Sequence, residues 1–110
     1  MITDKLLIEN SYKEWEVNKV YHPHANRMFQ KRFRNDKGQT KYFITFYEYY
    51  WKDADEYNYE VSLQFEKEKY VMNIMLFAID EKMTLKEIEQ EVYAIWYGLD
   101  CKYYDSEVEE

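Results

Sequence analysis

The chain of 110 residues holds one cysteine, one proline and two glycines, and each shortage excludes something. Cys101 alone cannot form an internal disulfide and leaves no cysteine cluster for zinc, a usage that suits a reducing cytoplasm. Two glycines are too few for a loop that wraps its backbone closely on phosphate. No window approaches the roughly 18 apolar residues of a membrane span, and no basic region followed by an apolar core opens the chain. The expectation is a protein that is neither secreted nor inserted in a membrane, carries no cofactor and has no catalytic motif.

Aromatic residues are plentiful instead. Hydrophobic residues make up 46% of a 13.8 kDa chain, a size that suits one domain over 1–104, and 13 tyrosines and 6 phenylalanines carry much of that share. Tyrosine needs a partner for its hydroxyl when buried, so many are expected half-exposed. Charge is uneven around the net −7. Residues 1–26 hold three lysines against four acids, and residues 27–41 hold six cations against Asp36 alone. Residues 42–110 hold six lysines against seventeen acids. A basic segment is set in an acidic body.

Thr3 can cap a short helix over Asp4–Glu9, with Asn10 and Ser11 as its stop. Alternation from Tyr12 to Val20 predicts a short strand with Trp15 as core anchor, and Pro23 makes 22–24 a loop. Met28 to Arg34 and Thr40 to Trp51 flank Asn35-Asp36-Lys37-Gly38, a hairpin signature. In the stretch Lys41 to Trp51, eight of eleven residues are aromatic or branched apolar. After the acidic loop 52–56, Tyr59, Val61, Leu63 and Phe65 alternate with polar residues, a strand with one wet face. Tyr70 to Ile79 is apolar on both faces apart from Asn73, a strand covered twice or one whose second face meets a partner.

Thr84-Leu85-Lys86-Glu87 has the form of a capping box, and Leu85, Ile88, Val92, Ile95, Trp96 and Leu99 make one apolar stripe behind it. Gly98 is a candidate stop. The predicted architecture is α+β: an antiparallel sheet of three to five strands, a C-terminal amphipathic helix packed on one face and a short N-terminal helix. Residues 105–110 read as an acidic mobile tail.

His22 and His24 on a loop, with Cys101 distant, fall short of a metal site, and Asp53, Asp55 and Glu56 lack the spacing of a calcium loop. Two surfaces remain. Tyr47, Tyr49, Tyr50, Trp51 and Tyr57 exceed what one small core absorbs, and such residues anchor protein interfaces, so a protein partner is expected, with a homodimer favoured over a monomer. The alternative is single-stranded nucleic acid on the basic aromatic hairpin 27–43. There Arg27, Lys31, Arg32, Arg34, Lys37 and Lys41 would neutralise phosphates while Phe29, Phe33, Tyr42 and Phe43 stack bases. The acidic remainder opposes that reading, and charged edges serve solubility in many sheets.

Residues 3–14, then Phe29-Gln30-Lys31-Arg32-Phe33, Asp36-Lys37-Gly38 and Lys41-Tyr42-Phe43-Ile44, resemble small uncharacterised proteins encoded by tailed phages and prophages of Gram-positive bacteria. The resemblance implies a virus-encoded accessory protein of the host bacterial cytoplasm, with no catalytic residues to carry over. It also implies that inhibition of a host enzyme or defence system by binding is a candidate role.

Overall fold

The computed structural model describes residues 1–67, 70–80 and 82–108, and for 70 and 101–108 the backbone alone. The order is α1 (Asp4–Glu9), β1 (Lys13–Trp15), β2 (Ala25–Arg34), β3 (Thr40–Trp51), β4 (Glu56–Lys67), β5 (Tyr70–Ala78) and α2 (Leu85–Val108). The strands form one antiparallel meander in the order β1-β2-β3-β4-β5. The α+β architecture expected from the sequence is the one found.

Local chemistry sets the joints. The Thr3 hydroxyl accepts from the Leu6 amide at 3.1 Å, and the Thr84 hydroxyl accepts from the Glu87 amide at 3.2 Å, so each helix begins where a side chain satisfies a free donor. α1 ends in a left-handed Ser11 at φ 72, with Ser11 N–H bonded to Ile8 O and Tyr12 N–H to Leu7 O. In the β2–β3 turn the Asn35 carboxamide oxygen accepts from the amides of Lys37 and Gln39, both at 2.9 Å, and Gly38 supplies φ 78.

Period-two alternation then sorts side chains onto two faces. Phe29 of β2, Tyr42, Ile44 and Phe46 of β3, and Val61, Leu63 and Phe65 of β4 are buried against Leu85, Ile88 and Val92 of α2 and Leu7 of α1. α2 lies over β3 and β4. Burying side chains of this size contributes about 1.5–3 kcal/mol each against conformational entropy.

Two expectations need correction, and one pair of alternatives is narrowed. Trp15 is no core anchor: β1 is a three-residue edge strand, and Trp15 stands 48% exposed on the face away from α2 while Tyr12 enters the core. α2 does not stop at Gly98. Gly98 lacks a positive φ, and the helix gains there because Leu99 extends the apolar stripe and Asp100 meets Lys67 Nζ at 2.9 Å. Of the two readings of β5, cover on both faces is excluded, since Val71 and Met75 are exposed. The side chains of Cys101, Tyr103 and Tyr104 and much of the expected tail over 105–110 lie outside the described residues. Among the described residues no helix is long and apolar enough to cross a membrane.

Candidate functional site

β3 and β4 are the longest strands, and their ladder runs from Phe43↔Gln64 to Trp51↔Glu56. Their neighbours stop short. β2 reaches only Ala25↔Tyr49, and β5 only Glu60↔Ala78, so the hairpin end from Tyr50 to Tyr57 projects past the sheet on both sides. The turn is held by Ala54 N–H on Trp51 O and by a left-handed Asp55 at φ 51.

Three aromatic side chains crown this end. Trp51 is 60% and Tyr57 61% exposed, and Tyr50 is exposed beside them. The rings of Tyr50 and Tyr57 lie 4.9 Å apart, and the Tyr50 phenol donates to Asp55 Oδ1 at 2.6 Å, a bond that raises its pKa. The Tyr50–Tyr57 pair is therefore held by its own contacts, while Trp51, opposite Glu56, projects from the other face. Behind it opens a cavity of about 590 Å³ walled by Tyr49, Trp51, Tyr59, Glu60 and Ile79, with His24 at its margin. Burial, then the neighbouring Glu60 carboxylate, pushes the Tyr49 phenol up to about 12, so it remains a hydrogen-bond donor throughout the physiological range.

A buried charge lies behind Tyr59 of the cavity wall. Glu48 is 2% exposed, yet it accepts from Arg27 Nε at 2.9 Å, from Arg27 Nη2 at 2.8 Å and from the Tyr59 phenol at 2.7 Å. Arg27 Nη2 also reaches Asp4 Oδ2 at 3.1 Å. The Glu48 bonds raise the Arg27 pKa, and burial raises that of Tyr59, so both donors stay protonated.

Of the five aromatic residues expected at a protein surface, Tyr50 and Tyr57 are paired and exposed on one face of the hairpin end, Trp51 is exposed on the other, and Tyr49 lines the cavity. Tyr47 is not available. It is buried on the sheet face away from α2, where the β1–β2 loop folds over it and stacks His22 on its ring at 4.1 Å.

The six cations expected to grip a nucleic acid divide among separate places. Arg27 is held by Glu48 and Asp4. Lys31 points to the α2 side, its Nζ 5.5 Å from the Tyr12 ring and 5.1 Å from Phe33. Lys41 is the extra residue of a register shift between Phe33↔Tyr42 and Arg34↔Thr40, which turns it towards α2, 5.5 Å from the rings of Tyr93 and Trp96. Lys37 sits exposed in the turn. Arg32 and Arg34 line a groove of about 560 Å³ with Phe43, Lys13 and Trp15, and Lys31 also borders it although its ammonium lies against Tyr12 and Phe33. Trp15 and Lys13 were missed as members, because a three-residue strand leaves too short a period to tell its faces apart.

Among the described residues no group of three or more His, Cys, Asp or Glu is placed to hold a metal ion. Compared with protein-family models, curated proteins and solved structures, the chain matches none.

Proposed function

We propose that the protein is a non-enzymatic binding module that engages a protein partner through the projecting end of the β3–β4 hairpin. One observation carries the reading: Tyr50 and Tyr57 on one face and Trp51 on the other stand exposed on a projecting two-stranded ladder beside a cavity able to take a partner side chain. Tyrosine and tryptophan dominate the energetics of protein interfaces, and anchors already fixed in place lose little entropy on binding. The acidic turn 52–56 adds Asp53, Asp55 and Glu56 at the rim, which favours a partner with basic residues around an apolar anchor. The phage resemblance adds the class of partner, a host enzyme or defence protein in the bacterial cytoplasm.

The test is capture from a nuclease-treated bacterial lysate by the parent chain and by Trp51→Ala with Tyr57→Ala. A protein retained by the parent and released by the double variant supports the reading; loss of an interface anchor of this kind weakens binding by roughly 30-fold, about 2 kcal/mol. Equal capture by both chains, or capture that disappears with nuclease, overturns it. Exposed side chains contribute little to folding, so the double variant is expected to keep the parent's unfolding midpoint in urea.

A second reading is favoured by the groove of Lys13, Trp15, Arg32, Arg34 and Phe43, which combines cations with two aromatic rings on an open sheet face. It takes a short single strand. Binding would weaken with salt at about −0.7 in log–log slope per phosphate neutralised, and Arg32→Glu with Arg34→Glu would abolish it. Absence of binding at low salt removes this reading and leaves the hairpin untouched.

A further inference from the structure

β5 ends the sheet, and natural sheets guard such edges with charge, proline or shortness. The opposite edge obeys: β1 has three residues and carries Lys13 and Glu14. β5 does not. Its nine residues, Tyr-Val-Met-Asn-Ile-Met-Leu-Phe-Ala, include no charge, no proline and no glycine.

The register tells which backbone groups are free. Lys67 pairs with Tyr70 across a two-residue connection, and the closing pair of such a hairpin exchanges hydrogen bonds. Alternation then points the N–H and C=O of Met72 and Ile74 at β4 and those of Val71, Asn73 and Met75 away from it. The same three residues carry their side chains on the face that α2 leaves open, with Val71 62% and Met75 44% exposed and Asn73 exposed between them. The ladder is regular until the shift between Val61 and Ser62, so Val71 to Met75 is an undistorted edge.

We infer that the protein forms a two-fold dimer by antiparallel pairing of β5 with β5 of a second copy, centred on Asn73. This axis sets Asn73 against Asn73 of the partner subunit and Val71 against Met75 of the partner subunit. Each is a hydrogen-bonded pair, about six interchain backbone bonds in all. The exposed apolar residues then cover each other, the carboxamides meet at the axis, and no like charges are opposed. A two-fold axis perpendicular to the sheet keeps both copies of α2 on one side of a continuous ten-stranded sheet. α2 lies over β3 and β4, which leaves the β5 margin clear. The hairpin end is untouched, so the dimer would present two of them.

Sedimentation equilibrium tests the state, and charge exchange tests the register. The parent is expected at twice 13.8 kDa. Val71→Lys with Met75→Lys puts lysine opposite lysine and should weaken association by tenfold or more, on the order expected for opposed like charges with loss of the apolar pair. Val71→Lys with Met75→Glu puts opposite charges in each pair and should restore it, an outcome that loss of an apolar patch alone does not give. In a Cys101→Ser background, Asn73→Cys should yield an intermolecular disulfide. Val71→Cys should not, because its two copies lie about four residues apart along the strands, beyond disulfide reach. A monomer at high micromolar concentration overturns the inference. So does a dimer that is indifferent to both charge variants, since its interface would lie elsewhere.

Discussion

The phenol of Tyr59 donates to Glu48 Oε2 at 2.7 Å across the β3–β4 ladder, and this bond joins the buried carboxylate to the wall of the aromatic cavity. Arg27 closes the other side of Glu48 from β2. Arg27→Ala leaves a carboxylate buried with one donor and should cost about 3 kcal/mol, the low end for breaking a buried pair because Arg27 itself is partly solvated. Tyr59→Phe removes one bond to a charged group, about 1.5–3 kcal/mol. Urea unfolding measures both; equal midpoints for Arg27→Ala and the parent would show that the pair contributes nothing.

Tyr12 carries a buried hydroxyl with no hydrogen-bond partner, on a ring packed edge-on to Phe46 at 5.2 Å. Burial and then the charge of Glu89 raise its pKa, so the phenol stays neutral. Tyr12→Phe keeps the ring and removes a desolvated polar atom, and stability should rise by up to about 1–2 kcal/mol. A lower thermal midpoint would contradict the expectation.

Glu89 on α2 has its pKa raised by burial, which Lys31 only partly offsets. A raised carboxylate means that the folded state holds the proton more tightly than the unfolded one. The native state therefore loses stability as pH rises from the ordinary glutamate range through the folded pKa, and regains it on acidification. Glu89→Gln should be more stable than the parent at pH 7, with the gap closing towards pH 4. Urea midpoints across that range give the sign directly; a gap that widens on acidification would refute the assignment.

Ser11 holds φ 72 at the close of α1, a conformation that costs an L side chain about 1–2 kcal/mol and a glycine almost nothing. Ser11→Gly should raise stability by about 1 kcal/mol, read as a higher midpoint in thermal or urea unfolding. A null result would mean that the gain is spent in the unfolded chain, where glycine is also freer.

What could be read in advance follows the length of the pattern. β3, β4 and α2 each repeat their apolar spacing over several periods, and the helix stripe from Leu85 to Trp96 lies where the spacing puts it. Capping hydroxyls at Thr3 and Thr84 and the Asn35–Gly38 turn act through neighbours in sequence, so they too were visible. Trp15 and Tyr12 were exchanged because three residues of strand offer no period, and burial there depends on α1 and on the loop over 16–24. Tyr47 and Lys41 misled for a different reason. The burial of Tyr47 is set by a loop folding back over it and the direction of Lys41 by a register shift, and neither is written in the local spacing. Glu48 gave no signal at all, since its partners stand 11 and 21 residues away in the chain.

The meander has a kinetic consequence. Each strand joins the one that precedes it in the chain, so the sheet can grow hairpin by hairpin without closing a long loop first, and contacts between near neighbours in sequence favour rapid folding. The β2–β3 and β3–β4 hairpins have nine paired positions each, and β3 belongs to both, so growth of the sheet can start on either side of that strand. α2 cannot dock until β3 and β4 lie side by side, because Ile88 and Val92 rest in a core to which both strands contribute. The strand pair whose far end carries Tyr50, Trp51 and Tyr57 is thus also the platform on which α2 assembles, so hairpin and helix are coupled through one core.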